Sequence, residues 1–287
     1  MNSATCYAGA MKRIFAFLVL VGAPVTAQQS NPEIVVDGPA NVSPSDARQH
    51  VAQVTDTRQG QVARFHRPIC PVVVGLPDET NRKISARIRN TARSIGAEVA
   101  PEQCESNLVV LVADDGNASL AELRRTRQSW FEGLSPTDID ALTADKGPVR
   151  NWSVISLRNE DGERIEAVKE RIEPRSMRVK SASALRRVTR LDIEGSVIII
   201  DRSAANGKSI AQLADYAAMR GLARTRRPSN GSLPTILSLF DTSGTSPVHA
   251  LSASDISYLH SLYRLSGTES LNTARSRLSQ SIVRQGH

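Results

Sequence analysis

The chain has 287 residues, 40% of them hydrophobic, and a formal net charge of +7, enough for one large core or two small ones. Thirty of its 36 basic side chains are arginine, but no basic run is interleaved with aromatic residues. That pattern excludes nucleic acid read by base stacking as a partner. The arginine excess itself has two readings: GC-rich coding, or planar bidentate binding of carboxylate or phosphate.

The first segment reads as an export signal. Met11-Lys12-Arg13 supply a short basic start, Ile14 to Val25 an apolar run, and Val25-Thr26-Ala27 the small residues of a cleavage site. The apolar run is about 12 residues, short of the ~20 that a membrane helix needs. The sequence therefore predicts a signal peptide over 1–27, a mature chain from Gln28, no transmembrane helix after cleavage, and a periplasmic or secreted location. Without Lys12 and Arg13, 34 basic side chains face 29 acidic ones, a net charge of +5. Residues 28–43 are polar and read as a flexible leader.

Cys6 leaves with the signal, so Cys70 and Cys104 are an even pair in an oxidising compartment, and a disulfide between them is expected. The alternatives are free thiols or part of a metal site. With no Cys-x-x-Cys and only His66 nearby, the zinc signal is weak, and no metal is expected.

In chain order, Ser43-Pro44-Ser45-Asp46 opens a short helix to about Thr55. Ile69 to Leu76 is a β-branched run, and Asp78 is read as the cap of a helix to about Ile95, which Gly96 ends. Leu108 to Ala113 is a second buried strand. Strand, helix and strand make a βαβ unit, and parallel strands would bring Cys70 and Cys104 to the same end of the sheet. Helices are predicted at Ser119–Phe131 and at Pro136–Ala144, the latter capped by Ser135. Val149 to Leu157 reads as one arm of a hairpin that returns through Arg164 to Glu173 as strand or helix. Leu191 to Asp201 is a strand and Ser209 to Ala223 a helix. Pro228 to Ser232 and Asp241 to Ser246 are loops flanking a short apolar run, Leu233 to Phe240. Ser252-Ala253-Ser254-Asp255 starts a helix to about Leu265, and Leu271 to Val283 is an amphipathic final helix. The fold class is α+β, mixed α/β: a βαβ-containing portion over 44–146, then a helix–sheet portion over 147–287.

No Gly-x-Gly-x-x-Gly, P-loop, Gly-x-Ser-x-Gly or Ser-x-x-Lys occurs, and no cofactor is expected. Gly133-Leu134-Ser135-Pro136 fails as a nucleophile elbow because Thr137 follows. The five histidines, His50, His66, His249, His260 and His287, form no close pair in sequence. Asp114-Asp115-Gly116-Asn117 after a strand could hold a cation or line a sheet-end site, but turn chemistry accounts for it. Glu163, Glu166, Glu170 and Glu173 alternate with basic residues as a solvated face does. Residues 171–190 carry seven basic side chains against Glu173 alone, including the candidate binding residues Arg178, Arg186 and Arg187. Such a surface suits an anionic envelope component or another protein.

The Ser209–Ala223 helix follows a strand and a short loop, the layout around the active helix of zincin metalloproteases. In register, Gln212 and Tyr216 stand where His-Glu-x-x-His has its two zinc ligands, and Leu213 where it has its base. None of the three supplies the zinc chemistry. Gln212, Asp215 and Tyr216 are therefore candidates for binding rather than for metal. The chain resembles a family of exported Gram-negative bacterial proteins of uncharacterised activity, through Arg64 to Pro71 with Gly75-Leu76-Pro77, Gln212 to Met219, and Leu259 to Arg264. Ser254 to Tyr263 is also similar to the terminal helix of some zincin-like proteins. The resemblance implies a scaffold without the metal site and brings no activity. The reading is a non-catalytic envelope or secreted binding protein; the alternative is a secreted, peptidase-like hydrolase with a non-contiguous active site.

Overall fold

The fold is organised around one long strand. A computed structural model describes residues 41–165, 187–228, 233–241 and 248–285, all within one compact unit, Val35–His287. The predicted signal, nearly all of the leader, and Arg178 and Arg186 lie outside the described residues.

Strand β5 (Thr189–Asp201) carries the β-branched run Val197 to Ile200 and forms the spine of a five-stranded sheet. On one edge it pairs end to end with two parallel strands. Its first half meets β1 (Ala63–Arg64), and its second half meets β3 (Leu108–Ala113). Beyond β3 lies β2 (Pro71–Val74), also parallel. The other edge of β5 pairs antiparallel with β4 (Val149–Asn159) along its whole length. Val154 faces Gly195 and Ile155 faces Ile193, so Glu194 is an extra, bulged residue. The bulge falls where β5 changes neighbours from β1 to β3.

Helix α1 (Pro44–Val54) begins at Ser43, whose hydroxyl accepts from Asp46 N–H. Helix α2 (Asp78–Ser94) crosses between β2 and β3. Its N-cap is Pro77 without a side-chain bond, so Asp78 sits in the first turn rather than capping. Gly75, just past β2, has φ +97°, and a Cβ there would strike the Val112 carbonyl. The segment expected as one helix over 119–131 divides into α3 (Gly116–Thr126) and a 3-10 turn (Gln128–Phe131). Helix α4 (Pro136–Ala144) has its Ser135 capping box. Of the return expected over Arg164 to Glu173 as strand or helix, the described residues show the antiparallel start, a bridge of Arg158 with Arg164; residues 166–186 lie outside the described residues. The other edge of β4 pairs with β5.

After β5 come a single-turn α5 (Arg202–Ala205) and α6 (Ile210–Gly221), capped by a Ser209–Gln212 box. Next are a 3-10 turn (Ile236–Ser238), α7 (Ala253–Tyr263) and α8 (Leu271–Gln285). Alternation along the strands splits the core. Leu108, Val110, Val112, Ile198 and Ile200 face the large core with α2 and α6, while Val197, Ile199 and Trp152 face a smaller one with Leu120 and Phe131. Trp152 stacks on Phe131, centroids 4.9 Å apart. Helix α6 lies so close to the sheet that a Cβ at Gly221 would press on Leu108 and Ile198. Cys70 and Cys104 are joined, Cα atoms 6.1 Å apart. Among the described residues no helix is long and apolar enough to cross a membrane.

Candidate functional site

The residues singled out on α6 are structural. Gln212 closes the capping box by accepting from Ser209 N–H, and its amide donates to Val248 O at 2.7 Å. Asp215 is buried, with Arg87 of α2 clamped on its two oxygens. Tyr216 is buried edge-on against Phe240, centroids 4.8 Å apart, and burial raises its phenol pKa. Asp215 and Tyr216 are buried and Gln212 is half-buried. Arg187 is exposed, and its backbone N–H donates to Thr268 O.

The carboxyl end of the parallel strands, where ligands of open α/β sheets bind, is closed by the chain itself. Asp115 caps α3 by accepting from Asn117 and Ala118 N–H. Asp114 pairs with Arg202. Arg150 reaches across from β4 to Asp201 at 2.8 Å and to Asn117 Oδ1 at 3.0 Å. The turn reading of Asp114 to Asn117 thus becomes a helix start.

A partly buried polar row covers the first half of β5. Ser156 and Arg158 of β4 hold the bulged Glu194. Burial pushes the Glu194 carboxyl up, but the Ser156 and Arg158 hydrogen bonds outweigh it and hold the pKa down. Asp192 sits between Arg190 at 2.9 Å and Arg158 at 3.4 Å, and burial raises its pKa. His66 Nε2 lies 3.6 Å from Asp192, too far for a hydrogen bond. Burial first, then Arg64, Arg190 and Arg158, push His66 down to about 3. A histidine so held is a poor base near neutral pH. His50 is likewise buried, both ring nitrogens unpartnered, and burial lowers it to about 4. His249 is exposed and His260 half-buried. Among the described residues no group of three or more His, Cys, Asp or Glu could hold a metal ion.

A cleft of about 320 Å³ is lined by Arg67, Arg158 and Glu194, and another, of about 350 Å³, opens along the outer edge of β4. Asn151, Trp152 and Ser153 form its floor. Leu134, the α4 residues Asp138, Ala141 and Leu142, and Asp145 just past the helix form one wall. Arg220 from the last turn of α6, the segment Arg224 to Arg226, and Asp56 with Arg58 form the other. That second wall is a two-stranded brace, with Asp56 N–H donating to Arg224 O and Arg226 N–H to Val54 O.

The ladder geometry decides which backbone groups face the cleft. Asp201 N–H donates to Pro148 O, so Pro148 faces β5; Ile165 N–H donates to Leu157 O and Asn159 N–H to Glu163 O, so Leu157 and Asn159 face outwards. Two-residue alternation then turns the N–H and C=O of Asn151 and Ser153 outwards. Among the described residues no hydrogen bond reaches them. Two buried side-chain atoms at the cleft also lack a partner, the acceptor Asn151 Oδ1 and the donor Arg220 Nε.

Of the four arginines, Arg224 pairs with Asp56 and Arg58 stands 3.8 Å from Asp138. Arg220 and Arg226 hold only carbonyl oxygens, of Thr225 and of Gln53 and Ala52. Hydrogen bonds from the Ser135 backbone and hydroxyl keep the Asp138 carboxyl below its ordinary pKa. Sequence reasoning missed this cleft; the one available signal was the arginine density of Arg220 to Arg227. Comparison of the chain with protein-family models, with curated proteins and with solved structures finds no match.

Proposed function

We propose that this chain is an exported, non-catalytic binding protein that holds its partner in the cleft beside β4. The observation that carries the reading is the set of unpartnered polar groups there. Buried polar atoms are nearly always hydrogen-bonded, and here an unpartnered acceptor and an unpartnered donor belong to residues that line one cleft beside a strand edge. The hydrolase alternative has less support. Among the described residues its one histidine–carboxylate approach is His66 with Asp192, and there burial first and then Arg64, Arg190 and Arg158 disfavour a charged imidazole. The likeness of α6 to a zincin active helix fits a scaffold that keeps the helix for packing, with Gln212, Asp215 and Tyr216 in structural roles.

The test is site-specific crosslinking in an exporting Gram-negative host. A photoreactive residue at Leu142, in the cleft wall, should capture a partner. The same residue at Val74, which is 41% exposed at the end of β2, should not. Equal capture at both positions, or none at Leu142, sinks the cleft as the binding site. The mature N-terminus, read by mass spectrometry of the same material, should fall at Gln28.

A further inference from the structure

We infer that the cleft takes an extended peptide bearing an acidic side chain, added as a strand to the free edge of β4. This rests on the cleft being the binding site. Asn151 and Ser153 each present an N–H and a C=O, two residues apart on one edge. The ligand whose donors and acceptors repeat at that spacing is the backbone of another extended chain.

The edge also lacks the usual protection. Natural edges are blunted by lysine, proline or a bulge. Val149 to Asn159 contains no lysine and no proline, and the bulge lies in β5. The two arginines of β4 are turned to other duties, Arg150 on Asp201 and Arg158 on Glu194. The far end of the edge is already taken, because Ile165 bonds to Leu157. Among the described residues the open stretch therefore runs from Val149 to Ser153.

The walls select the occupant. A strand added to β4 lies about 4.8 Å away, within the recess between α4 and the Arg224–Arg226 brace. The sheet of a second copy would bring its own layers against both walls. Charge selects further. Among the described residues Arg220 and Arg226 have no carboxylate partner, and the buried donor Arg220 Nε has no acceptor. An acidic side chain from the added strand supplies the acceptor.

The experiment selects a displayed library of random octapeptides on the oxidised protein and measures synthetic copies of the enriched sequences by fluorescence anisotropy. Enrichment of an acidic residue within an extended, proline-free core is expected. N-methylation of alternate peptide amides should weaken binding about tenfold for one parity and less than about twofold for the other, since only one set of N–H groups faces β4. Asn151→Pro removes one outward N–H without touching the bonds to β5 and should weaken binding similarly, with the near-UV circular dichroism unchanged. If that variant does not fold, the two N-methylated series still decide. Arg220→Gln should weaken the acidic peptide and leave its Glu→Gln analogue unaffected.

Equal effects of both parities overturn strand addition, as does binding indifferent to Asn151→Pro in a folded variant. A stable dimer in sedimentation that Asn151→Pro dissolves would make a second copy the occupant and overturn the peptide. No enrichment from the library, together with a non-peptide adduct at Leu142, rejects the peptide and keeps the cleft. No enrichment and no adduct rejects both.

Discussion

The Asp215 carboxylate, 1% exposed, receives Arg87 Nε at 2.6 Å and Nη2 at 2.8 Å, and Leu251 N–H at 2.9 Å. One side chain of α6 thereby ties down α2 and the segment leading into α7. Removing one member of a buried pair strands the other charge, which costs about 3–5 kcal/mol. Asp215→Ala should lower the unfolding free energy by that amount, read as a lower urea midpoint with an unchanged m value. The double variant Asp215→Leu with Arg87→Met should recover much of the loss, because it removes both charges. A loss below about 1 kcal/mol in the single variant would return Asp215 to the list of ligand-binding candidates.

The contrast between α6 and β4 shows what sequence can and cannot specify. The α4 bounds, Pro136–Ala144, and the β3 bounds, Leu108–Ala113, are legible because cap residues and a β-branched run are local signals. The Cys70–Cys104 link follows from counting cysteines in a parallel βαβ unit. The partner of β4 is not local. The turn at Asn159 to Gly162 does begin a hairpin, with Arg158 bridged to Arg164, but the strand that pairs along all of Val149–Asn159 starts only at Thr189. Long-range pairing is decided by burial of Val197 to Ile200 between two layers, which no short window reveals. The cleft fails for the same reason. Its walls come from four separated stretches, near residues 56, 138, 151 and 224, and its defining feature is an unpaired backbone edge that leaves no compositional trace. On α6, register with a zincin helix drew attention to three residues that the fold uses for capping, ion pairing and packing.

His50 makes acid sensitivity a property of α1. The imidazole is fully buried, both nitrogens are unpartnered, and burial holds its pKa at about 4 against 6.5 in the unfolded chain. Between pH 6.5 and about 4 the unfolded chain binds a proton that the folded chain refuses. Stability is therefore fully present above 6.5 and declines as pH falls through that window. The contribution is about 3 kcal/mol. His66 adds to the same decline, down to about pH 3. His50→Leu should flatten the profile between pH 6.5 and 4. It should also raise stability at neutral pH by about 1–3 kcal/mol, since two unsatisfied nitrogens are removed. A His50→Leu profile as steep as that of the parent protein would show that His50 is solvated or paired.

The disulfide closes a loop with a sequence separation of 34. In the chain-entropy account, cross-linking a loop of that length stabilises by about 3–4 kcal/mol. Cys104→Ala should lose roughly this amount in denaturant unfolding, and reductant should have no further effect on that variant. Around Cys70, Asn107 accepts from the Cys70 N–H at 2.7 Å and donates to Pro68 O at 2.9 Å, so the end of the sheet stays organised without the bond. Loss of stability without loss of the native circular dichroism is the expected outcome; an unfolded Cys104→Ala protein would mean the bond is needed to form the βαβ unit at all.

Helix α4 should be the most mobile wall of the cleft. It is well capped at Ser135, but none of its nine residues is buried. Its counterpart α6 buries eight of its twelve residues, from Leu213 to Met219 and Gly221. Local opening free energies track buried apolar contact, so elements with little of it exchange their amide hydrogens first. Capping stabilises the first turn of a helix but does not anchor it to the sheet, and what attaches α4 is the partly buried Leu142 beside Trp152. Hydrogen exchange followed by mass spectrometry should show α4 amides exchanging at least about tenfold faster than those of α6. Leu142→Ala should widen that gap and leave α6 unaffected. A strand seated against β4 would touch α4 and the β4 edge together, so a saturating library-selected peptide should slow exchange in both and leave α8 unchanged. Slowing spread evenly over the molecule would instead indicate general stabilisation from a site elsewhere.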